Sequence, residues 1–513
     1  MENTDIKSIS AEKSIKRDLL MENTGIESVA AEKSAAKRKV MAIYPPVGLY
    51  QRGEERCQAD TESGSAMNLR APNDLGYISA VLQNLEISTL VRDYPAEKKG
   101  WEDFKKDLLD FAPEYLIIST TEATIVRDLE ALKISKGINK NIINIAKGAV
   151  FSAPKEILLP IIDFDCLDIA IIGEAEFILP EILKTLSSGG DIGEVKGIIF
   201  KKAHEIIETP KRDFDGNLDL LPFPDRYAIK NRLYIRPDTG RPQATIQVSR
   251  GCPYYCIFCL TPNVSGSKIR YRSVENIIEE IKDCIENHNI KDFFLRSDTF
   301  TANRKFVISL CSEIINNGLS ISWVANSRTD TFDEETAAWM KKAGCWLVAF
   351  GIESANNEIL KKIGKNTTNH DTVNALDICK KTGLKTYCFF VIGFPWDTEE
   401  TISDTFKLII QSDIDYIEIH IATPYEGTEL FRISRELGLI KESAIGHNYF
   451  SNPPARTLSL SREQLMALRK KGLKMFYLRK GYIFETLEKI RNPKEFFNYL
   501  KFGLKLLKNL GKK

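Results

Sequence analysis

The chain has 513 residues, of which 43% are hydrophobic and 27% charged, a composition that is ordinary for a globular protein. Its net charge of +1 argues against binding of nucleic acid through overall charge. It has no run of about 18 apolar residues that could span a membrane, no apolar signal-peptide core near its start, and ten mostly scattered cysteines that are unlike a disulfide framework. We therefore expect a cytoplasmic protein of roughly two to four domains.

The N-terminal segment contains a repeat. MENTDIKSISAEKS begins at Met1 and the similar MENTGIESVAAEKS begins at Met21. One copy is too short to bury an apolar face, so residues 1–38 are predicted to be a disordered, duplicated leader.

Residues 39–204 alternate short apolar runs with amphipathic stretches. Five of the runs are predicted to be buried strands: VMAIYPP, STLVRDYP, EYLIIST, NIINIAKGA and LDIAIIGEAE. Such alternation is typical of βαβ units, which build a Rossmann-like, doubly wound parallel sheet. Ligands of these sheets bind beyond the carboxyl ends of the strands. The residues at those ends are Pro45, Pro46, Ser119, Thr120, Thr121, Lys147, Gly148, Gly173 and Glu174.

A second alternating series covers residues 244–440, after a proline-rich segment at 205–243 that is predicted to be a linker. Six strands are predicted in this series, starting at Ala244, Asp292, Ser322, Trp346, Lys385 and Tyr416. Six β/α units are fewer than a complete barrel contains, so we expect a partial (β/α)6 barrel, with its polar residues at the carboxyl ends of the strands.

The C-terminal region, residues 441–513, is predicted to be helical and basic. From Arg462 onward it has 15 Lys and Arg against 4 Asp and Glu, a net charge of +11. Two interpretations remain open: an amphipathic helical cap over the barrel mouth, or a surface that lies on anionic lipid.

Three cysteines stand close together in SRGCPYYCIFCLTP, directly after the first barrel strand. Cys252, Cys256 and Cys259 have the spacing C-x3-C-x2-C, and thiolates bind zinc and iron–sulfur clusters. A structural zinc site usually has four protein ligands, yet no histidine lies within 25 residues of the three cysteines and the chain has no second pair. A [4Fe–4S] cluster with three cysteine ligands leaves one iron open, which suits catalysis. The alternative is three cysteines that bind zinc or no metal.

The cysteine motif, with Phe258 before its last cysteine, resembles the radical S-adenosylmethionine (SAM) family. The resemblance implies that SAM binds the open iron, and that one electron from the cluster cleaves SAM to a 5′-deoxyadenosyl radical. The segments LRSDTFTAN, ANSRTD, GIESANNEILKKIGK, FFVIGFPWDT and TPYEGTEL resemble later strands of the family barrel in order. The residues that this resemblance places at SAM are Phe258, Asp298, Arg328, Glu353, Ser354, Ile392 and Gly393.

Structural roles are the alternatives for these SAM residues. Asp298 and Arg328 could belong to an ordinary buried ion pair. Glu353 could be a carboxylate at a helix N-terminus, and Gly393 could serve a simple turn.

The Rossmann-like domain ahead of the barrel resembles the cobalamin-binding branch of the family. GEAEF, from Gly173, resembles the GE-x-E signature of that domain, and PPVGLYQRGEERCQ resembles its first loop. No histidine precedes His204, so cobalamin would have no histidine ligand from this domain, or the domain has lost the cofactor. The cobalamin contacts implied by the resemblance are Pro46, Ser119, Thr120, Thr121, Gly148, Gly173 and Glu174.

The predicted function is that of a radical SAM enzyme that binds a [4Fe–4S] cluster and cobalamin and methylates an unactivated carbon of a small-molecule or lipid substrate. One alternative is a cyclase or rearrangement enzyme whose cobalamin domain is non-methylating or empty. A more remote alternative is a cobalamin or redox sensor. The resemblance also implies an electron donor such as flavodoxin or ferredoxin. We expect no nucleic-acid partner, and the basic C-terminal region leaves peripheral membrane contact open.

Overall fold

The structure, a computed structural model, describes residues 38–50, 52, 69–214, 216–236, 238–440, 443, 445–447, 449, 452–488, 496, 497, 500, 503 and 504. The predicted leader, except Arg38, and the segment around Cys57 lie outside these residues. The described residues form two compact units. The first unit contains the described residues up to Gly48 together with Pro72–Lys230, and the second contains the rest.

The first unit is built on a seven-stranded sheet with the order β2-β1-β3-β4-β5-β6-β7. Strands β1 to β5 are parallel, and β6 and β7 continue the sheet as antiparallel neighbours. This confirms the doubly wound prediction. The strands are β1 Lys39–Tyr44, β2 Ser88–Asp93, β3 Tyr115–Ser119, β4 Ile143–Lys147, β5 Ile169–Ile171, β6 Ile198–Lys202 and β7 Glu205–Glu208.

Helices cover the sheet of the first unit. A buried apolar core joins β1 and β5 to the first and last of these helices, through Val40, Ile78, Ile171 and Ile182 among others. The helices are α1 Asn73–Asn84, α2 Trp101–Phe111, α3 Ile125–Asp128, α4 Glu130–Ile138, α5 Lys155–Leu158 and α6 Ala175–Ser188.

The segment predicted as a linker, residues 205–243, is structured in a way that the sequence did not indicate. Strand β7 pairs with β6, and Asp225 accepts hydrogen bonds from Ser79 (2.7 Å) and Gln83 (2.6 Å) of α1. Arg236 donates to Asp292 of the second unit, 2.9 Å away. The segment therefore divides between the units at Lys230. Its strand is short and carries Glu at both ends, so it lacks the apolar run by which a buried strand is recognised.

The second unit contains a six-stranded parallel sheet with the order β15-β14-β13-β12-β11-β8. Neighbours in space are neighbours in sequence, as in a barrel that has not closed. The six strands are β8 Gln243–Gln247, β11 Asp292–Arg296, β12 Ser322–Ser327, β13 Cys345–Glu353, β14 Lys385–Ile392 and β15 Tyr416–Ile421. All six predicted strands are confirmed. A short antiparallel pair, β9 Ser249–Arg250 and β10 Arg270–Tyr271, flanks the cysteine segment.

The helices of the second unit pack on one face of this sheet and form its main core, which includes Trp323, Phe350, Phe390 and Ile419. They are α7 Thr261–Val264, α8 Val274–His288, α9 Arg304–Asn316, α10 Glu334–Lys342, α11 Asn357–Lys362, α12 Asn369–Thr382, α13 Glu399–Gln411, α14 Glu429–Glu436, α15 Arg462–Tyr477 and α16 Lys480–Glu488. No helix in the described part of the chain is both long and apolar enough to cross a bilayer.

Helix α15, the first helix of the basic region, belongs to the helical layer of the barrel. Leu465, Leu473 and Phe476 are buried in the main core, and the Tyr477 hydroxyl donates to the carbonyl of Ile417 on β15, 2.7 Å away. The helix thus packs beside the edge strand of the sheet, where uncovered backbone groups would otherwise be available to other chains.

Candidate active site

The three motif cysteines lie on the loop between β9 and α7. None of the three cysteines forms a disulfide, and all three are partly exposed. Two backbone hydrogen bonds hold the ends of the loop: Cys252 N donates to Gly266 O (3.2 Å), and Cys259 N donates to Cys256 O (3.1 Å). A third, from Ile257 N to Ile363 O (3.0 Å), ties the centre of the loop to the end of α11. The chain thus presents three thiols from one braced loop.

Two glycines allow this loop to pack. Gly251 has a φ of +88°, and a Cβ there would lie 2.1 Å from the carbonyl oxygen of Lys268. Gly364 has a φ of +69°, and its Cβ would lie 2.5 Å from the carbonyl oxygen of Tyr255. No other residue fits such contacts in the left-handed region.

Two cations, Lys365 and Arg328, lie near the Cys256 thiol, together with the Glu353 carboxylate. Burial raises the pKa of Cys256 to about 11, while nearby Lys365 and Arg328 favour its thiolate. A thiol must lose its proton to become a metal ligand, so these two cations would stabilise the ligated form.

Among the described residues, no three His, Cys, Asp or Glu side chains converge on one ion. In a four-iron cluster, each thiolate binds its own iron.

Arg328, just beyond β12, is held in place on three sides. Its guanidinium contacts Asp330 through two hydrogen bonds of 2.9 and 2.8 Å, donates to the carbonyl of Lys365 at 2.8 Å, and stacks 3.8 Å from the ring of Tyr254. Its ion-pair partner is therefore Asp330 rather than Asp298. Its Nη1 is buried without a hydrogen-bond partner among the described residues, which is unfavourable unless an acceptor binds there.

Glu353 ends β13 in a strained conformation. Its φ is +67°, a region that a residue with a Cβ rarely adopts, and such strain clusters at functional sites. The carboxylate forms a buried ion pair with Lys365 Nζ at 3.0 Å. Although burial disfavours the charged form, Glu353 raises the pKa of Lys365 above its usual value. The helix-terminus alternative does not hold, because Asn356 provides the cap of α11.

Gly351 leaves the space for this ion pair. A Cβ at that position would lie 2.6 Å from Glu353 Oε1 and 3.0 Å from Lys365 Nζ. Lys365 was absent from the predicted site, although it closes the quoted GIESANNEILKKIGK segment.

The remaining predicted SAM residues connect the loop to its supports. Asp298 accepts a hydrogen bond from Gly251 N at 2.9 Å, so it joins the end of β11 to the cysteine loop. Phe258 packs on Phe394, with ring centroids 5.5 Å apart. Ser354 accepts from Asn356 N at 3.1 Å and lies 3.4 Å from the hydroxyl of Thr405 on α13.

Ile392 and Gly393 stand at the end of β14. Ile392 is buried in the core under the helices, so only its backbone is available to a ligand. Gly393 has a φ of +90°, and a Cβ there would lie 3.1 Å from Leu465 of α15. Its conformation therefore serves packing against α15.

Asp397 organises the same turn and was missed by sequence reasoning. Its carboxylate accepts from Gly393 N (2.8 Å), Phe394 N (3.0 Å) and the Thr401 hydroxyl (2.7 Å). Burial raises the pKa of Asp397 to about 6. The sequence WDT before a helix could have indicated a polar residue at the turn, but not three donors around one carboxylate.

We expect Asp397→Asn to change how stability depends on pH. Because the folded-state pKa is raised, the contribution of Asp397 to stability is fully present below the unfolded-state pKa and is lost as pH rises through about 6. Asparagine keeps an acceptor for the two N–H groups but does not ionise. As pH rises from 4 to 7, the free energy of unfolding in urea of Asp397→Asn should increase relative to that of wild type by up to about 3 kcal/mol.

Asp397→Ala is the control, because it removes the acceptors as well as the charge. It should be less stable than Asp397→Asn throughout that range. A difference between wild type and Asp397→Asn that does not vary with pH would refute the role given to this carboxyl.

The sheet face opposite the helices carries an aromatic wall, defined here by Tyr387 and Phe389 of β14 and Tyr416 and His420 of β15. The Phe389 ring stacks on the His420 imidazole at 6.1 Å with an interplanar angle of 26°. The ring centroid of Tyr387 lies 4.5 Å from that of Phe389 and 6.3 Å from that of Tyr416. Burial lowers the pKa of His420, against the opposing effect of Glu418. The His420 imidazole in the wall is therefore neutral near neutral pH.

The first unit has its own polar centre, around Asp74 of α1. Asp74 accepts hydrogen bonds from Ser119 (2.6 Å), from Lys147 (2.5 Å) and from the Tyr44 hydroxyl. Burial opposes ionisation, but Lys147 and the hydrogen bonds hold the pKa of Asp74 below its usual value. The ends of β1, β3 and β4 thus meet at the point where the strand order reverses, which is where such sheets bind ligands.

Several predicted cobalamin residues come together at this edge. Gly148 has a φ of +152°, and a Cβ there would lie 2.5 Å from the carbonyl oxygen of Thr120. Thr120 donates to the carbonyl of Lys147 at 3.0 Å, and Thr121 lies 2.8 Å from the hydroxyl of Thr124. Ser119 belongs to the Asp74 network, Pro46 follows β1, and Gly173 and Glu174 precede α6.

The chemistry of this edge fits cobalamin, whose rim carries amide side chains. Asn73 at the start of α1 has a buried Oδ1 without a partner among the described residues, so it can accept from such an amide. Glycine at position 148 lets Thr120 pack closely against the end of β4, because a Cβ there would collide with Thr120.

Comparison with known proteins gives three points. A family model described as the Radical SAM superfamily matches residues 246–409. An uncharacterized methyltransferase of Pyrococcus horikoshii, PH0819, is 33% identical over 80% of this chain and 88% of its own length. The anaerobic magnesium-protoporphyrin IX monomethyl ester cyclase of Rubrivivax gelatinosus is 24% identical over 80% of this chain and 72% of its own length.

One solved structure has a similar fold over nearly the whole chain. It is the cobalamin-dependent S-adenosylmethionine radical enzyme OxsB with aqua-cobalamin and S-adenosylmethionine bound. The TM-score is 0.69 at 15% identity, over 96% of this chain and 77% of that chain.

Proposed function

Since the chain belongs to the radical SAM superfamily, and is therefore an enzyme that uses a [4Fe–4S] cluster and SAM, we propose that it methylates an unactivated carbon of a small-molecule or lipid substrate with the help of cobalamin. The observation that carries this proposal is the braced loop that presents three cysteines without disulfides, near an Arg328 N–H that is buried without a hydrogen-bond partner among the described residues. Methyl transfer is supported by the name of the P. horikoshii relative, and cobalamin by the fold shared with OxsB.

Cys252, Cys256 and Cys259 would hold the cluster, which together with SAM supplies a 5′-deoxyadenosyl radical. The amino-acid end of SAM carries a carboxylate and an ammonium group. Arg328 offers its free Nη1–H to the first, and the Glu353 carboxylate is the complementary group for the second. Lys365 holds the Glu353 carboxylate in position through their ion pair.

The aromatic wall would take the substrate. Tyr387, Phe389 and Tyr416 offer apolar surface that excludes water, as a radical reaction needs. Burial lowers the pKa of His420, so its imidazole is neutral near neutral pH and can stack against an apolar substrate without placing a charge beside it.

Cobalamin, when bound, supplies the carrier for the methyl group. Residues of the Asp74 edge would hold it: Asn73 and Thr120 as hydrogen-bonding partners, with Gly148 keeping Thr120 in place. The Asp74–Lys147 ion pair would keep the ends of β1, β3 and β4 in register.

A binding experiment tests the cobalamin part. Purified wild type should take up one equivalent of hydroxocobalamin, and Gly148→Ala should take up at least tenfold less, because its Cβ collides with the Thr120 carbonyl. Gly137→Ala, which meets nothing within 4 Å, is the matched control and should bind like wild type.

Iron content checks that the second unit of Gly148→Ala is intact, and its circular dichroism spectrum, compared with that of wild type, checks that the first unit is folded. Wild-type protein that loads iron but no cobalamin would favour a domain without the cofactor. Equal uptake by both glycine variants would refute the site.

A second candidate is ring closure without methyl transfer, which the cyclase of R. gelatinosus favours. SAM with a deuterated methyl group separates the two. A product that carries the label supports methylation. An unlabelled product with one ring more than the substrate supports the cyclase.

A further inference from the structure

The end of the described chain exposes large apolar side chains. Helix α15 buries one face in the barrel core, but several large apolar side chains near its end and among the described residues beyond it are exposed. Phe484 is 65% exposed and Phe497 is 63% exposed. We name this set the C-terminal apolar surface: Met475, Leu478, Ile483, Phe484, Leu487, Phe496, Phe497, Leu500 and Leu504.

The spacing of these residues is that of helix faces. Ile483, Phe484 and Leu487 follow the pattern i, i+1, i+4, and Phe496, Phe497, Leu500 and Leu504 extend it to i+8. Apolar residues exposed singly are normal on protein surfaces. Two successive apolar helix faces in one segment are characteristic of an interaction surface.

Charge indicates what covers the surface. Residues 462–513 carry 15 Lys and Arg and 4 Asp and Glu, a net charge of +11, whereas the whole chain carries +1. The other 461 residues therefore carry −10. The positive charge of the protein is concentrated in the same segment as its exposed aromatic residues, and basic residues interleaved with Phe and Leu are typical of helices that lie in a membrane interface.

A second copy of the chain is a poorer occupant. A two-fold interface would place this segment against itself, and two segments of +11 repel. An anionic bilayer instead offers negative charge at its surface, worth about 1 kcal/mol for each Lys or Arg close to it, and an apolar interior for the Phe and Leu side chains.

We propose that the C-terminal apolar surface docks the enzyme on anionic lipid bilayers as a peripheral contact. The Phe and Leu side chains enter the interface, and the Lys and Arg side chains bind the headgroups. The docking does not depend on the proposed methyl transfer.

Co-sedimentation with vesicles tests the proposal on the full-length, cluster-loaded protein. Vesicles of phosphatidylcholine with 30% phosphatidylglycerol should bind the protein at least tenfold more strongly than vesicles of phosphatidylcholine alone, and 1 M NaCl should remove most of that difference. The double variant Phe484→Glu/Phe497→Glu should bind at least tenfold more weakly.

Leu109→Glu is the matched control, since Leu109 is as exposed as Phe484 at 65% and lies in the first unit. It should bind vesicles like wild type, and the double variant should still form 5′-deoxyadenosine at the wild-type rate. Three outcomes would overturn the proposal: no binding to the anionic vesicles, equal binding by the double variant, or a wild-type dimer in solution that the double variant abolishes. The last would show a second copy as the occupant.

Discussion

Cys256→Ala should bind substoichiometric iron and should lower the rate of 5′-deoxyadenosine formation by more than about 100-fold. Replacing a residue that only supports the ligands of a metal site already lowers metal affinity or activity 10- to 100-fold. Cys256 is proposed to be a ligand itself. The loop around it is braced by Gly251 and Gly364, so neighbouring side chains cannot easily move in to replace the thiolate. Anaerobic reconstitution, iron and sulfide analysis and chromatography of the SAM products measure both effects.

Cys166→Ser is the matched control for this experiment. Cys166 is also free and partly exposed, but it lies in the first unit. The control should load four irons and cleave SAM like wild type. A Cys256→Ala protein that loads a full cluster and still cleaves SAM would remove this cysteine from the site.

Arg328→Lys should weaken SAM binding by about 10- to 100-fold and leave iron content unchanged. The lysine keeps the charge but loses the planar fork that contacts Asp330 and the Lys365 carbonyl at once. It also loses the Nη1–H that we assign to the carboxylate of SAM, and a hydrogen bond to a charged group is worth roughly 1.5–3 kcal/mol. Because lysine keeps the positive charge near Cys256 and loses the contact assigned to SAM, the effect should appear in the KM for SAM more than in kcat.

Arg304→Lys provides the comparison, since Arg304 is an exposed arginine paired with Asp333 and Glu335. It should leave the KM for SAM as in wild type. Loss of iron in Arg328→Lys would assign the arginine to support of the cluster, and an unchanged KM would exclude it from SAM binding.

Most of the fold could be predicted from local sequence patterns. The apolar runs of the first domain and the six strands of the barrel could be read from the sequence because buried parallel strands are continuous and apolar. The cysteine loop could be read because its three ligands lie within eight residues. Strand β7 was missed because it is short and its ends are charged.

Contacts between distant residues limited prediction of the site. Lys365 reaches Glu353 across a turn and a helix, and Asp74 collects donors from three strands that are up to 73 residues away. Arg328 was predicted as a SAM residue and lies against Tyr254 of the cysteine loop, but the choice of Asp330 as its partner depends on the local backbone. A single sequence reports which residues have useful chemistry, while their pairing is decided by the register of the sheet.

The central claim is that three thiolates hold a cluster with one iron left open for SAM. Electron paramagnetic resonance of the anaerobically reconstituted, dithionite-reduced protein, recorded before and after addition of SAM, tests it most directly. We predict the signal of a reduced [4Fe–4S] cluster whose g values shift when SAM is added, and no such signal from Cys256→Ala. A wild-type cluster signal that is identical with and without SAM would contradict the claim.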